Sequence, residues 1–109
     1  MIKHKDAKDI LIREFSALGF DVLFFNEKPS ANGPDMWVRK NKGRPLSVEV
    51  KKIREQQKGM WQVDPVSKDR QSDDLISIVF NSEYVLIEPM QDHLKCCSQK
   101  GTRQFTIMR

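Results

Sequence analysis

The sequence is poor in residues that staple a small fold covalently or through zinc. It holds two cysteines and two histidines. The cysteines, Cys96 and Cys97, are neighbours in the chain, where a mutual disulfide would be strained, so both are expected as reduced thiols with one buried against the core. His93 is the one histidine near them and no second cysteine pair exists, which argues against a zinc site. No apolar run approaches the roughly 20 residues needed to cross a bilayer, and the opening Met-Ile-Lys-His-Lys-Asp has no apolar leader segment. A cytoplasmic protein with no membrane partner is the expectation. Internal repeats and low-complexity tracts are missing too, and 109 residues provide material for one core but not two. The chain is therefore expected to form a single domain over 1–109.

What is present is a globular composition, 39% hydrophobic and 31% charged, with 19 Lys+Arg against 15 Asp+Glu for a net charge of +4. A pI near 9.2 suits a polyanionic partner. Charge alone does not name nucleic acid, since many small basic proteins bind nothing anionic.

Over 6–18, Ala7, Ile10, Leu11, Phe15 and Leu18 recur at helical spacing, and Gly19 supplies a left-handed stop. Glu14 falls inside that apolar stripe while Asp6, Asp9 and Arg13 point away. A carboxylate on the core side of a helix is costly unless paired. Glu14 either snorkels to a lysine or points into an active site. Residues 20–25 read as a strand, 26–34 as a loop rich in Pro, Gly, Asn and Ser, and 35–39 as a second strand. Asn41-Lys42-Gly43-Arg44 has hairpin-turn chemistry, and 46–50 is the returning strand. Pairing Val38 with Ser47 or a residue close to it would bring Asp35 near Val50, within reach of Glu49 and Lys51. A polar, mostly basic exit follows over 51–58, then a strand at 60–66 closed by Pro65.

Ser72-Asp73-Asp74 resembles a helix N-cap with acids in the first turn, and Leu75, Ile76, Val79 and Phe80 have helical spacing. The same residues also suit a strand; the reading favours a helix. Residues 83–88 form a strand placed centrally because it is apolar on both faces. A helix follows from Pro89 to Gly101, carrying a packed His93, and 102–108 reads as an edge strand. Trp61 is assigned to core packing in preference to base stacking.

The stretch 33–52 concentrates the chemistry. Asp35 opens one strand, and Glu49 and Lys51 share a face of the next because side chains alternate with period two. Two converging carboxylates repel unless a cation lies between them, and oxygen ligands suit Mg²⁺ or Mn²⁺. Asp35, Glu49 and the backbone carbonyl of Val50 are the candidate ligands. Such an ion activates water and neutralises charge at a phosphoryl group, with Lys51 placed to orient the water or stabilise that charge.

Pro34-Asp35 followed by Glu49-Val50-Lys51 resembles the signature of the PD-(D/E)XK nuclease superfamily: Pro-Asp, a spacer, then an acid, any residue and Lys. The upstream helix ending Leu18-Gly19-Phe20 and the apolar residues before Glu49 fit that family's core. By size the chain is most similar to small Holliday junction and phage resolvases. The resemblance spans about 6–88 and implies an α/β fold, a restriction-endonuclease-like central mixed sheet flanked by helices in the order αβββαβ. It implies Asp35, Glu49 and Lys51 as catalytic residues. It adds Glu14 as a further helix acid and metal ligand, where Asp9 has the better spacing in some relatives but faces away.

Arg39, Lys40, Lys42 and Arg44 at the hairpin, with Lys52, Arg54 and Lys58 beyond the catalytic strand, are candidate phosphate contacts, as are Ser30 and Asn32 on the loop. Each is equally an ordinary surface or loop-stabilising residue. The function expected is metal-dependent hydrolysis of DNA phosphodiesters by a homodimer or higher homo-oligomer, selective for branched DNA. The alternatives are a sequence-specific homing or restriction-type endonuclease, with recognition elements drawn from 90–109, and a non-catalytic nucleic-acid-binding module of the same fold.

Overall fold

The computed structural model describes residues 1–28 and 33–107. Helix α1 (His4–Ala17) is followed by strands β1 (Phe20–Phe25), β2 (Met36–Lys40) and β3 (Leu46–Lys52), then by the short strands β4 (Glu55–Gln57) and β5 (Met60–Val63). A single 3-10 turn, Lys68–Arg70, leads into β6 (Leu75–Val79) and β7 (Val85–Pro89), and the chain continues through helix α2 (Met90–Lys100) to β8 (Arg103–Thr106). The expected α/β class with a central mixed sheet and flanking helices is what forms. Five strands make the main sheet in the order β1-β2-β3-β6-β7; all its pairs are antiparallel except β3 with β6. A separate sheet has the order β4-β5-β8.

Local signals set most of these elements. Ala7, Ile10, Leu11 and Phe15 form the buried stripe of α1, and Gly19, at φ 89°, ends it in the left-handed region that a glycine enters without strain. Between β2 and β3 it is Asn41, not Gly43, that takes the positive φ of 55°. The ladder pairs Met36 with Val48, Trp37 with Ser47 and Val38 with Leu46, Val38 thus falling beside the neighbour of Ser47. At the far end Gly101, at φ 75°, closes α2 and donates to Cys97 O at 2.7 Å.

The expected helix over 72–80 is instead a strand. Ile76, Ser77, Ile78 and Val79 are all buried, because β6 lies inside the sheet with both faces covered. β-branched side chains pack well on such a pleated surface and lose rotamer freedom in a helix. Consequently the chain crosses from β3 to its parallel neighbour β6 through the β4-β5 hairpin and the 3-10 turn, where the αβββαβ order has a helix. The strand expected at 83–88 also forms, as β7, but at the edge of the sheet. Its residues are apolar on both sides because Val85 and Ile87 pack in one cluster and Leu86 in the other. The 102–108 segment supplies β8, an edge strand of the second sheet.

The sheet divides the core in two. On one face Leu11 and Phe15 of α1 pack with Phe25, Met36, Val38, Val48 and Val79. On the other, Ile76 and Ile78 meet Met90, Trp61, Val63 and Val66. Trp61 is core, as its edge-on contact with Phe80 at 5.5 Å shows. His93 is fully buried, with Nε2 3.5 Å from Cys97 Sγ and its imidazole pKa lowered by burial. Cys96 and Cys97 are both free thiols, the second buried.

Leu11, fully buried in the first cluster, and Leu18, half-exposed just beyond the helix, give a direct contrast. Leu11→Ala is expected to cost about 2–5 kcal/mol in urea unfolding, and Leu18→Ala under about 0.5 kcal/mol.

Candidate active site

Alternation on β3 decides which groups meet. Val48 joins the α1-side cluster, with Leu46 and Val50 packed against it, so Ser47, Glu49 and Lys51 project from the opposite face. Parallel pairing sets Glu49 beside Ile76 and Lys51 beside Ile78, both members of the second cluster. Glu49 is thereby drawn into apolar surroundings and is 8% exposed.

Asp35 reaches it from β2. The aspartate immediately precedes the ladder, its own carbonyl accepting from Asn26 N–H at 2.8 Å. Its carboxylate Oδ2 accepts from Val50 N–H at 2.8 Å. That bond holds the Asp35 carboxylate against β3, next to Glu49. Burial first, and then the charge of Asp35, push the Glu49 carboxyl up to about 7; Arg70 and Lys51 pull it the other way. Among the described residues Glu49 Oε2 is buried and has no hydrogen-bond partner. The sequence-predicted trio of Asp35, Glu49 and Lys51 is therefore brought together on one side of the sheet.

Two further residues at the site were not singled out from the sequence. Arg70, on the 3-10 turn of the β3-to-β6 crossover, places Nε 3.6 Å from Glu49 Oε2 and donates through a terminal nitrogen to the carbonyl of Gly33. Asp73, just before β6, has a buried Oδ2 without a described partner. Burial raises its pKa, with contributions from Asp35 and Asp74, against a hydrogen bond from Ser47 and the charge of Arg70. Neither residue has a periodic signature. Only the crossover brings them to the acids.

Glu14 is not brought to the trio. It lies on α1, which packs against the Val48 face, and its side chain is 39% exposed and paired with Arg13. Arg13 in turn donates to Ser82 O, at the β6-β7 turn. The helical stripe was read correctly, but it faces the other side of the sheet from Glu49.

The basic residues divide. Arg44 donates to both carboxylate oxygens of Asp74, at 2.9 and 3.3 Å, and Asp74 accepts from Ser47 N–H, so Arg44 pins the hairpin to the start of β6. Lys40 lies over the Phe20 ring at 5.5 Å. Arg39 is half-buried, its Nε without a described partner. Lys42, Arg54 and Lys58 are exposed and Lys52 half-buried. Ser30 and Asn32 lie outside the described residues.

The fold has a counterpart among solved structures. A bacterial homing endonuclease, I-Ssp6803I, matches it with a TM-score of 0.72 over 100% of this chain and 79% of that one, at 17% sequence identity. At that identity the likeness is one of fold. No protein-family model matches the sequence, and no curated protein matches it significantly. No helix among the described residues is long and apolar enough to cross a membrane.

The raised Glu49 pKa has a defined sign. An acid that binds its proton more tightly folded than unfolded contributes stability at low pH and loses it as pH rises through the folded value. In EDTA the wild type is expected to lose roughly 3 kcal/mol from this group between pH 4.5 and 8, and Glu49→Gln to remove that part of the slope. Parallel pH profiles in urea unfolding would assign the slope elsewhere.

Proposed function

We propose that this protein is a divalent-metal-dependent endonuclease of the PD-(D/E)XK type that hydrolyses DNA phosphodiester bonds at Asp35, Glu49 and Lys51. The observation that carries this reading is the convergence of two carboxylates beside one lysine, with the Glu49 Oε2 buried and without a hydrogen-bond partner among the described residues. The match in fold to a homing endonuclease supports it.

The donor chemistry fits Mg²⁺ or Mn²⁺. Both side chains offer hard oxygens, and an unsatisfied buried carboxylate oxygen is a costly feature that a cation relieves. No group of three or more His, Cys, Asp or Glu side chains gathers into a metal-binding set among the described residues. The protein's share of the ligands is thus Asp35, Glu49 and the Val50 carbonyl, and Mg²⁺ ordinarily keeps several positions for water and substrate phosphate. When bound, the ion supplies Lewis-acid stabilisation and a water activated for attack on phosphorus.

The chain's own residues do the rest. Val50 N–H fixes Asp35, so that this carboxylate is oriented before substrate arrives. Burial of Glu49 makes its affinity for a proton high, and a cation must compete with that proton near neutrality. Lys51, on the same face two residues on, offers its ammonium to the attacking water or to charge developing on the phosphate. Lys42, Arg54 and Lys58, all exposed, are assigned in this reading to contacts with backbone phosphates.

A homodimer would offer two sites for two strands. Branched DNA is the substrate suggested by the chain's size. Site-specific cleavage of duplex DNA is a second reading, favoured by the homing endonuclease that shares the fold.

Supercoiled plasmid, linear duplex and a four-way junction, incubated with Mg²⁺, test the assignment. Asp35→Ala and Glu49→Ala are each expected to lower cleavage by about 100-fold or more, and Lys51→Ala by a comparable factor. Glu14→Gln is expected to stay within about twofold of wild type, as a surface carboxylate away from the chemistry. Cutting that survives both Asp35→Ala and Glu49→Ala would overturn the nuclease assignment.

A further inference from the structure

Arg70 is the one described cation in ion-pair contact with Glu49, and how it is held points to what it does. Its Nε stands 3.6 Å from Glu49 Oε2, beyond hydrogen-bond reach, and that oxygen has no described hydrogen-bond partner. Its one side-chain hydrogen bond among the described residues goes to the Gly33 carbonyl. A guanidinium carries five N–H donors in a planar fork, so among the described residues most of this one's donors have no hydrogen-bond acceptor. The side chain is 23% exposed, so part of it meets solvent beside Glu49. An arginine whose role was to satisfy Glu49 would make the bidentate carboxylate contact this one does not make. The same chain forms that contact where it is structural, between Arg44 and Asp74.

We propose that Arg70 is a phosphate-binding residue of the active site: it neighbours Glu49 while that carboxylate has no metal, and turns its fork to the substrate phosphate once the carboxylate is committed to a divalent cation. This rests on the nuclease reading above. Glu49 engaged with a divalent ion no longer attracts the guanidinium, and the two cations repel across a few ångströms. The Gly33 carbonyl keeps the arginine beside the segment leading into Asp35, so the swing is short. Planar N–H pairs match phosphate oxygens bidentately, which a point-charge ammonium such as Lys51 does not reproduce. Arg70 and Lys51 would then divide the work, the first gripping the phosphate and the second serving the attacking water.

Coupling to the metal separates this role from that of an ordinary basic contact. Duplex affinity is measured by fluorescence anisotropy in EDTA and in Ca²⁺, which supports binding without turnover, for wild type, Arg70→Ala and Arg70→Lys, with Mn²⁺ affinity taken by calorimetry without DNA. Expected are a loss of about tenfold or more for Arg70→Ala in Ca²⁺ and an intermediate loss for Arg70→Lys. In EDTA both variants should remain within about twofold of wild type, and Mn²⁺ affinity should be unchanged or tighter. Equal losses in both media, no loss in Ca²⁺, or lost Mn²⁺ binding in a folded variant would overturn the proposal. Should Arg70→Ala fail to fold, Arg70→Lys decides on the same criteria. A wild type that binds Mn²⁺ and cleaves while the variants behave like it sinks only the role of Arg70. A wild type that neither binds Mn²⁺ nor cleaves sinks the nuclease reading, and this role with it.

Discussion

The hydrogen bond from Val50 N–H to the Asp35 carboxylate, 2.8 Å long, is the contact on which the site depends. It lies one residue beyond the last β2-β3 ladder pair, Met36 with Val48, and continues the strand pairing with a side chain in place of a carbonyl. By doing so it delivers a negative charge to a place where another, Glu49, is already buried. Burial and the charge of Asp35 push the Glu49 carboxyl up to about 7, and Arg70 and Lys51 offset part of that rise. The remaining architecture maintains that arrangement. β6 runs parallel to β3 and sets Ile76 and Ile78 beside Glu49 and Lys51. Helix α2 and the second sheet pack on the same side and keep it apolar.

What was legible in the sequence was what periodicity and turn chemistry determine locally. The stripe on α1 with its Gly19 stop, the β2-β3 hairpin, α2 with Gly101, and the shared face of Glu49 and Lys51 all follow from spacing over a few residues. Leu75 to Phe80 was ambiguous because Leu-Ile-Ser-Ile-Val-Phe satisfies both periods. Its strand state was decided by neighbours, β3 on one side and β7 on the other, that local sequence does not contain. The hairpin was legible to within a residue of its register, and of the Asn and Gly that mark its turn it is Asn41 that takes the positive φ.

Charged residues were the least legible. Arg44, expected as a phosphate contact, also ties the hairpin to Asp74. Glu14 looked like a site acid because it shares the buried stripe, yet a helix stripe states only that it faces a sheet, not which groups project from the sheet's far side. Asp73 looked like a helix-cap residue, and Arg70 carried no local signal at all. They reach the acids only through the crossover between two parallel strands, a connection that parallel pairing requires and whose path a sequence does not spell out.

The strand order of the second sheet has a consequence for how the molecule acquires its shape. β5 pairs with β8, Trp61 facing Phe105, so this layer closes a chain loop of about 40 residues, an entropic cost that must be met before its contacts form. The α1-β1-β2-β3 half is built from close neighbours in sequence and can consolidate first. The face carrying Glu49 would then be the last to become dry. Docking of Phe105 on Phe80 then completes the second hydrophobic cluster after the first, and makes that ring contact a natural place for local opening in the native state.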